Sequence, residues 1–263
     1  MDVKGFRRIM KIAIISDIHA NLPALEKVLE DIHSNFKADQ IYCLGDLTDG
    51  APWANEVINL IRQHDIPTIM GNHDERIAFD YEVFPLKKHT LEEQLARAET
   101  IRQTKETISE TNLKYLSELK LNIKFSYAGI SFLLVHGSPK SNEEYIYDNH
   151  DTKSIIGMFE SNHTDVIISG HTHLSFIKEV YSNDLPKLFI NAGSVGRSKE
   201  LNGGRAVYLQ LTIDEDGLIF REKIKATLRK IDYDIEKTIN GIKDSSTPDF
   251  YADFLLKMAH YDG

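Results

Sequence analysis

The sequence predicts an α/β protein, on three observations. Short β-branched runs alternate with amphipathic helical stretches in the first part of the chain, the rhythm of βαβ units around a parallel sheet. The second half changes to strand pairs joined by tight turns. The chain has 263 residues, 41% hydrophobic and 27% charged, so one large domain or two small ones can bury a core without disulfides or structural metals.

The elements follow in order. Residues 11–15 read as a buried strand, and 23–33 as a helix with Leu25, Val28, Leu29 and Ile32 on one face. A second strand, 40–44, runs into Gly45-Asp46. Residues 53–64 carry Val57, Ile58 and Ile61 at helical spacing, and 67–70 form a third strand that ends in Gly71-Asn72-His73-Asp74. The strand rhythm then stops. Residues 76–120 are an inserted charged segment, with 91–119 helical and weakly amphipathic, as in a helical hairpin or flap. A hairpin follows over 122–127 and 130–135, turning at Ala128-Gly129. Beyond it lie a helix over 152–162, a strand over 166–169, a strand pair over 176–181 and 187–190, and a last hairpin over 206–213 and 218–224. The main domain is thus expected over 10–230. A C-terminal arm, 231–263, has a short helical pattern around Phe254, Leu255 and Met258, and packs either on its own chain or on a second copy. Met10 stands directly before the first apolar run, and the nine residues ahead of it, a candidate upstream-start extension, are left out of this assignment.

Charge excludes some functions. With 31 Lys and Arg against 40 Asp and Glu, the formal net charge is −9, so no global positive field draws long nucleic acid or an anionic membrane. An anionic substrate must be held locally. The first apolar run stops at Asp17, far short of a signal-peptide core or a membrane span, and no targeting segment is expected. Cys43 is the single cysteine, which fits a reducing compartment, the cytoplasm. It lies within the second strand as a small hydrophobe rather than a catalytic thiol.

Five segments share one design, an apolar strand followed at once by metal-competent side chains, often beside glycine. They are Ser16-Asp17-Ile18-His19, Gly45-Asp46-Leu47-Thr48-Asp49, Gly71-Asn72-His73-Asp74, Val135-His136-Gly137 and Gly170-His171-Thr172-His173. Strand ends of an open α/β sheet converge on one crevice, so the five can meet at a point. Asp17, His19, Asp46, Asn72, His136, His171 and His173 then supply carboxylate, imidazole and amide donors and no thiolate. Seven donors exceed the needs of a four-ligand zinc site and suit two cations sharing a carboxylate. Mixed oxygen and nitrogen donors favour Mn, Fe, Zn, Co or Ni over Mg or Ca, with Mn the first choice.

In this order the five blocks resemble those of the calcineurin-like metallophosphoesterase superfamily, from Lys11 to about Ile224. Asn191-Ala192-Gly193-Ser194-Val195-Gly196, His136-Gly137-Ser138-Pro139 and Glu144-Tyr145-Ile146 are similar to its compact bacterial and archaeal phosphodiesterase branch. The resemblance implies a four-layer α-β-β-α sandwich of two mixed sheets. It implies Asp17, His19 and His173 on one metal, Asp46 bridging, and Asn72, His136 and His171 on the second, with a metal-bridging hydroxide as nucleophile. His73 would not be a ligand. It would face the leaving-group oxygen, with Asp74 orienting its ring. Asp49 stands where purple acid phosphatases of this superfamily carry a tyrosine ligand, and is expected to hydrogen-bond a ligand histidine instead.

The implied activity is hydrolysis of a small phosphodiester. Phosphomonoesters, dinucleoside polyphosphates and a metal-binding scaffold without chemistry stay open as alternatives. Substrate-binding residues are not assigned. Residues 191–196 are either a tight turn or a pocket edge that brings Arg197 or Lys199 near phosphate. The insert, with Arg97, Arg102 and Lys105, is either a solvated helix face or a cap over the metals. His33, His64, His89, His150, His163 and His260 lack the strand-end context and are expected at the surface.

Overall fold

The structure, a computed structural model, describes residues 8–85, 90–201 and 203–260. A four-stranded sheet runs in the order β2-β1-β8-β9, from β1 (Ile9–Ile15), β2 (Gln40–Cys43), β8 (Ala206–Asp214) and β9 (Ile224–Ile231). A five-stranded sheet runs β3-β4-β5-β7-β6, from β3 (Asn122–Tyr127), β4 (Ile130–Val135), β5 (Val166–Ser169), β6 (Phe176–Ser182) and β7 (Leu185–Asn191). Both sheets are mixed. β1 pairs with β2 in parallel, as does β5 with β4 and β7, and the other pairings are antiparallel.

Alternation along β1 assigns the layers. Ile12 and Ile14 face the second sheet and pack with Phe132, Leu134, Ile168, Ile190, Leu209 and Leu211. Ala13 and Ile15 face the other way, under Leu25 and Val28 of α1 (Leu22–Asp31) and Val57 and Ile58 of α2 (Ala54–Gln63). The far side of the second sheet is covered by Ile155, Met158 and Phe159 of α6 (Thr152–Asn162). The result is the expected α-β-β-α sandwich.

Some elements depart from the sequence reading. β1 begins at Ile9, which pairs with Asp214, so it takes in the last of the residues set aside ahead of Met10. Residues 1–7 and His89 lie outside the described residues. Residues 67–70 make only single bridges, Cys43 with Thr68 and Ile69 with Lys120, and Pro67 has no N–H to give to a longer ladder. Residues 218–224 are not the last strand. Leu218 is 90% exposed, and Phe220–Lys223 form one helical turn, α7, with Glu222 accepting from the Leu218 amide at 3.0 Å. β9 starts at Ile224, where Ile224, Ala226 and Leu228 alternate toward the inter-sheet core.

Three further helices are α3 (Asn72–Ala78), α4 (Leu91–Thr107) and α5 (Glu110–Ser117), and Leu116 of α5 joins the core under α1 and α2. The chain breaks after α4 because the Ser109 side chain caps α5, accepting from the Asn112 amide. The C-terminal residues form two helices, α8 (Ile235–Lys243) and α9 (Phe250–Ala259), which pack on their own chain. Ile239, Ile242, Tyr251, Ala252 and Leu255 meet Ala20, Ala51, Trp53, Ala54 and Ala96. Cys43 is fully buried in the core, where burial pushes its thiol up.

Candidate metal centre

The parallel strands β1, β2, β4 and β5 end on one side of the sandwich, and all five blocks gather there. Asp17, His19, Asp46, Asn72, His136, His171 and His173 are all buried. Donor atoms of Asp17, His19, Asp46 and His173 lie within 4.8 Å of one another, as do those of Asp46, His136 and His171. Asp46 belongs to both groups. The Asn72 Oδ1, at the start of α3, lies 3.0 Å from the His136 Nε2.

The turns at this edge demand unusual backbone. Asp17, His19, Asp46, His171 and His173 have φ of 52°, 50°, 53°, 67° and 62°, in the left-handed region that non-glycine residues avoid. Two glycines admit the close approach of the blocks. A Cβ on Gly45, itself at φ +89°, would lie 2.3 Å from the Gly71 nitrogen, and one on Gly170 would lie 2.0 Å from the Ser16 Oγ.

Proton positions follow from the partners of each ring. The Nδ1 atoms of His19, His173 and His136 lie 2.9, 2.8 and 2.8 Å from the carbonyl oxygens of Asp49, Arg197 and Leu44. A carbonyl only accepts, so each Nδ1 donates. In the neutral rings the Nε2 lone pairs therefore face inward, and those of His19 and His173 are 3.0 Å apart. Around them, the Asp17 Oδ1 is 3.2 Å from the His173 Nε2, and the Asp46 Oδ2 is 3.8 Å from the His19 Nε2 and 3.3 Å from the His136 Nε2. The Asp17 Oδ1 and the His171 Nε2 are buried without a hydrogen-bond partner. Acceptors converging on acceptors in a buried site fit divalent cations and little else.

Ionisation agrees with that donor set. Burial, then the charges of His173 and His73, hold His19 well below the usual imidazole range. Burial and the charge of His136 bring His171 down to about 3. His136 goes the other way. Burial alone would lower it, but the Asp46 carboxylate outweighs burial and raises it to about 10. The free oxygens of both carboxylates are aimed by their tied ones. The Asp17 Oδ2 accepts from the Ser16 hydroxyl and the His171 amide, and the Asp46 Oδ1 accepts from the His73 amide.

His73 stands beside the cluster, its ring 5.0 Å from that of His19 in an edge-on arrangement. Asp74 does not touch that ring. Its carboxylate accepts from the amides of Asp46, Leu47 and Gly71 at 2.7, 2.9 and 3.1 Å, and ties two blocks together as a buried brace. Burial and the neighbouring Asp46 raise it to about 7. The partner of the His73 Nδ1 is the Asp49 Oδ2, at 2.8 Å. Asp49 also serves a clustered histidine, as expected, but through its backbone carbonyl to His19 rather than its side chain.

The cluster opens into a cleft lined in part by Arg76, Arg97, Arg197 and Lys199, which surround it with positive charge despite the net charge of −9. Tyr145, Tyr251, Glu93 and Glu143 complete the wall. Glu93 and Arg97 come from α4, so the insert overhangs the site. Arg102 instead pairs with Glu99 and Glu106 on the surface, and Lys105 with Asp80. Residues 191–196 brace the ligand loops. The Asn191 amide donates to the Gly170 carbonyl and the Ser194 hydroxyl to the Asp17 carbonyl. His33, His64, His150, His163 and His260 line none of this cleft. Arg97 enters the sequence reading only as part of an insert that is either a solvated face or a cap, and Arg76, Tyr145 and Tyr251 are not assigned from sequence, Arg76 lying just past a strand-end motif and the two tyrosines in segments that carry none.

Comparison with known proteins gives the family. Residues 10–216 match the calcineurin-like phosphoesterase superfamily domain. The chain belongs to this superfamily. An uncharacterised protein of Methanocaldococcus jannaschii is 31% identical over 259 residues, covering 93% of this chain and 97% of that one. A bis(5'-nucleosyl)-tetraphosphatase of Oceanobacillus iheyensis is 28% identical over 166 residues, covering 52% of this chain and 63% of its own. A metallophosphoesterase from Sphaerobacter thermophilus superposes with a TM-score of 0.72 at 26% identity, over 95% of this chain and 99% of that one. A Pyrococcus horikoshii protein shares the fold, with a TM-score of 0.75 at 18% identity over 94% of this chain and 97% of that one. Metal-dependent hydrolysis of phosphoesters is the chemistry of the family, and the buried donors are its candidate metal ligands. Among the described residues no helix is long and apolar enough to cross a membrane.

Proposed function

We propose that the protein hydrolyses a phosphodiester with two divalent transition-metal ions bound, Mn before Fe, Zn, Co or Ni. Asp17, His19, His173 and Asp46 would hold one ion, and Asp46, Asn72, His136 and His171 the other. The observation that carries this is the Asp46 Oδ2, placed 3.8 Å from the His19 Nε2 and 3.3 Å from the His136 Nε2, a single carboxylate oxygen between two donor groups. When bound, the ions supply a water that ionises near neutral pH and positive charge for the phosphoryl oxygens.

The chain's own residues do the rest. His73, in the doubly protonated form whose Nδ1–H is held by the Asp49 carboxylate, gives its Nε2 proton to the leaving-group oxygen and is left as the neutral ring. Asp74 sets the backbone that carries Asp46 and Asn72. Arg76, Arg97, Arg197 and Lys199 offer donors to oxygens outside the donor cluster. The sole cysteine, a buried thiol, fits a cytoplasmic setting.

A second substrate class has its own support. Four cationic side chains around one cleft exceed what a lone phosphodiester needs, and one relative acts on bis(5'-nucleosyl) tetraphosphates. Metal-stripped protein refilled with Mn²⁺ should hydrolyse bis-p-nitrophenyl phosphate faster than p-nitrophenyl phosphate, and His73→Ala should remove the activity. Preference for the monoester refutes the diester assignment. Silence on both, with activity on a dinucleoside polyphosphate, establishes the second class.

A further inference from the structure

Arg197 sits where three parts of the molecule meet. Its backbone carbonyl accepts from the His173 Nδ1 at 2.8 Å, so its main chain is one hydrogen bond from the donor cluster. The side chain, only 14% exposed, lines the cleft. Its Nε is buried without a hydrogen-bond partner. The nearest acid, Glu93 of α4, is 3.9 Å away, too far for a hydrogen bond. The guanidinium carbon lies over two rings of α9, 4.8 Å from the centre of Tyr251 and 5.3 Å from that of Phe254. A cation–π contact takes up none of the N–H donors of a guanidinium in ordinary hydrogen bonds, so they stay available to a phosphate.

We propose that Arg197 binds a phosphate oxygen of the substrate, and that Tyr251 and Phe254 of the C-terminal helix are positioning residues that act through it. The arm, which lies beyond the family-matched residues 10–216, thereby sets substrate affinity. This rests on the phosphoester reading above. A guanidinium with unused donors, held over an anionic substrate's path, strengthens binding without entering the proton transfer. Rings packed against it remove the rotamer freedom that a long side chain would otherwise lose on binding.

The test uses the full-length protein loaded with Mn²⁺ and inorganic phosphate as probe, titrated calorimetrically, alongside KM and kcat for bis-p-nitrophenyl phosphate. Arg197→Ala should weaken phosphate binding about tenfold and raise KM in proportion, with kcat changed less and metal content unchanged. Arg197→Lys should recover part of the loss. Phe254→Leu, which keeps an apolar side chain on α9, should weaken binding about threefold in the wild type and have no effect in the Arg197→Ala background. Tyr251→Leu should do the same where its melting curve shows a folded protein. Phosphate binding by Arg197→Ala within twofold of wild type overturns the proposal, and so does an equal ring effect in both backgrounds. Wild-type protein that binds both ions but neither phosphate nor any phosphoester overturns the underlying reading as well.

Discussion

Asp49→Asn is the sharpest perturbation available, because it separates proton transfer from metal binding. The His73 Nδ1 to Asp49 Oδ2 hydrogen bond is 2.8 Å long, and the Asp49 side chain is only 2% exposed. Asparagine keeps an acceptor of the same shape and removes the charge. Charge-assisted hydrogen bonds are worth about 1.5–3 kcal/mol and neutral ones about 0.5–1.5, so the exchange costs about 1–1.5 kcal/mol, roughly a tenfold fall in kcat. The metal donors should be untouched, since Asp49 reaches His19 through its backbone carbonyl. The assay is kcat on bis-p-nitrophenyl phosphate with metal content measured on the same sample. His73→Ala alone should cost about 100-fold or more, and Asp49→Asn should add nothing in that background. An Asp49→Asn protein within twofold of wild type, or one that multiplies the His73→Ala loss by a further tenfold, would refute a His73–Asp49 unit.

Three further outcomes follow from the structure. Asp74→Ala strands three buried amides, at about 1 kcal/mol or more each, so it should lower unfolding free energy in urea by about 3 kcal/mol or more; a loss of kcat at unchanged stability would contradict the bracing role. For Asp31, burial alone would raise the carboxyl, but hydrogen bonds from Arg229, Tyr208 and Asn35 outweigh it and hold it below its unfolded value of about 3.9. Its stabilisation is thus complete at neutral pH and lost as pH falls through the folded value. Asp31→Asn should cost about 1 kcal/mol at pH 7, with Arg229 half exposed to solvent, and progressively less as the medium is acidified below the ordinary carboxylate range; a gap independent of pH would contradict this. Mn²⁺ at a hundredfold excess over its Kd adds about 2.7 kcal/mol per site, so chelation should lower the melting temperature by roughly 5 °C or more, and an unmoved melting curve would speak against resident metals.

The seven donors were legible because each follows an apolar strand within a few residues, and parallel strands deliver their ends to one edge. The partner of His73 was not. Neighbours on a helix point about 100° apart, so Asp74 leaves His73 and turns back toward the Gly71 amide as the third residue of α3. An acid three residues after a helix-starting glycine was the signal for that cap. Asp49 comes from another loop, and only tertiary structure brings it to the ring. The same limit applies to Tyr251, which reaches the cleft from α9. The last strand was misplaced because Leu218 and Ile219 are apolar yet exposed, whereas alternation in Ile224–Ile231 marks the real one.

The central claim is a pair of ions sharing Asp46, and calorimetric titration of metal-free protein with Mn²⁺ tests it most directly. Wild-type protein should take up two ions per chain, and Asp46→Asn should weaken both sites while Asp17→Asn weakens one. A single site in the wild type, or an Asp46→Asn protein that still binds two ions with unchanged affinity, would contradict the account.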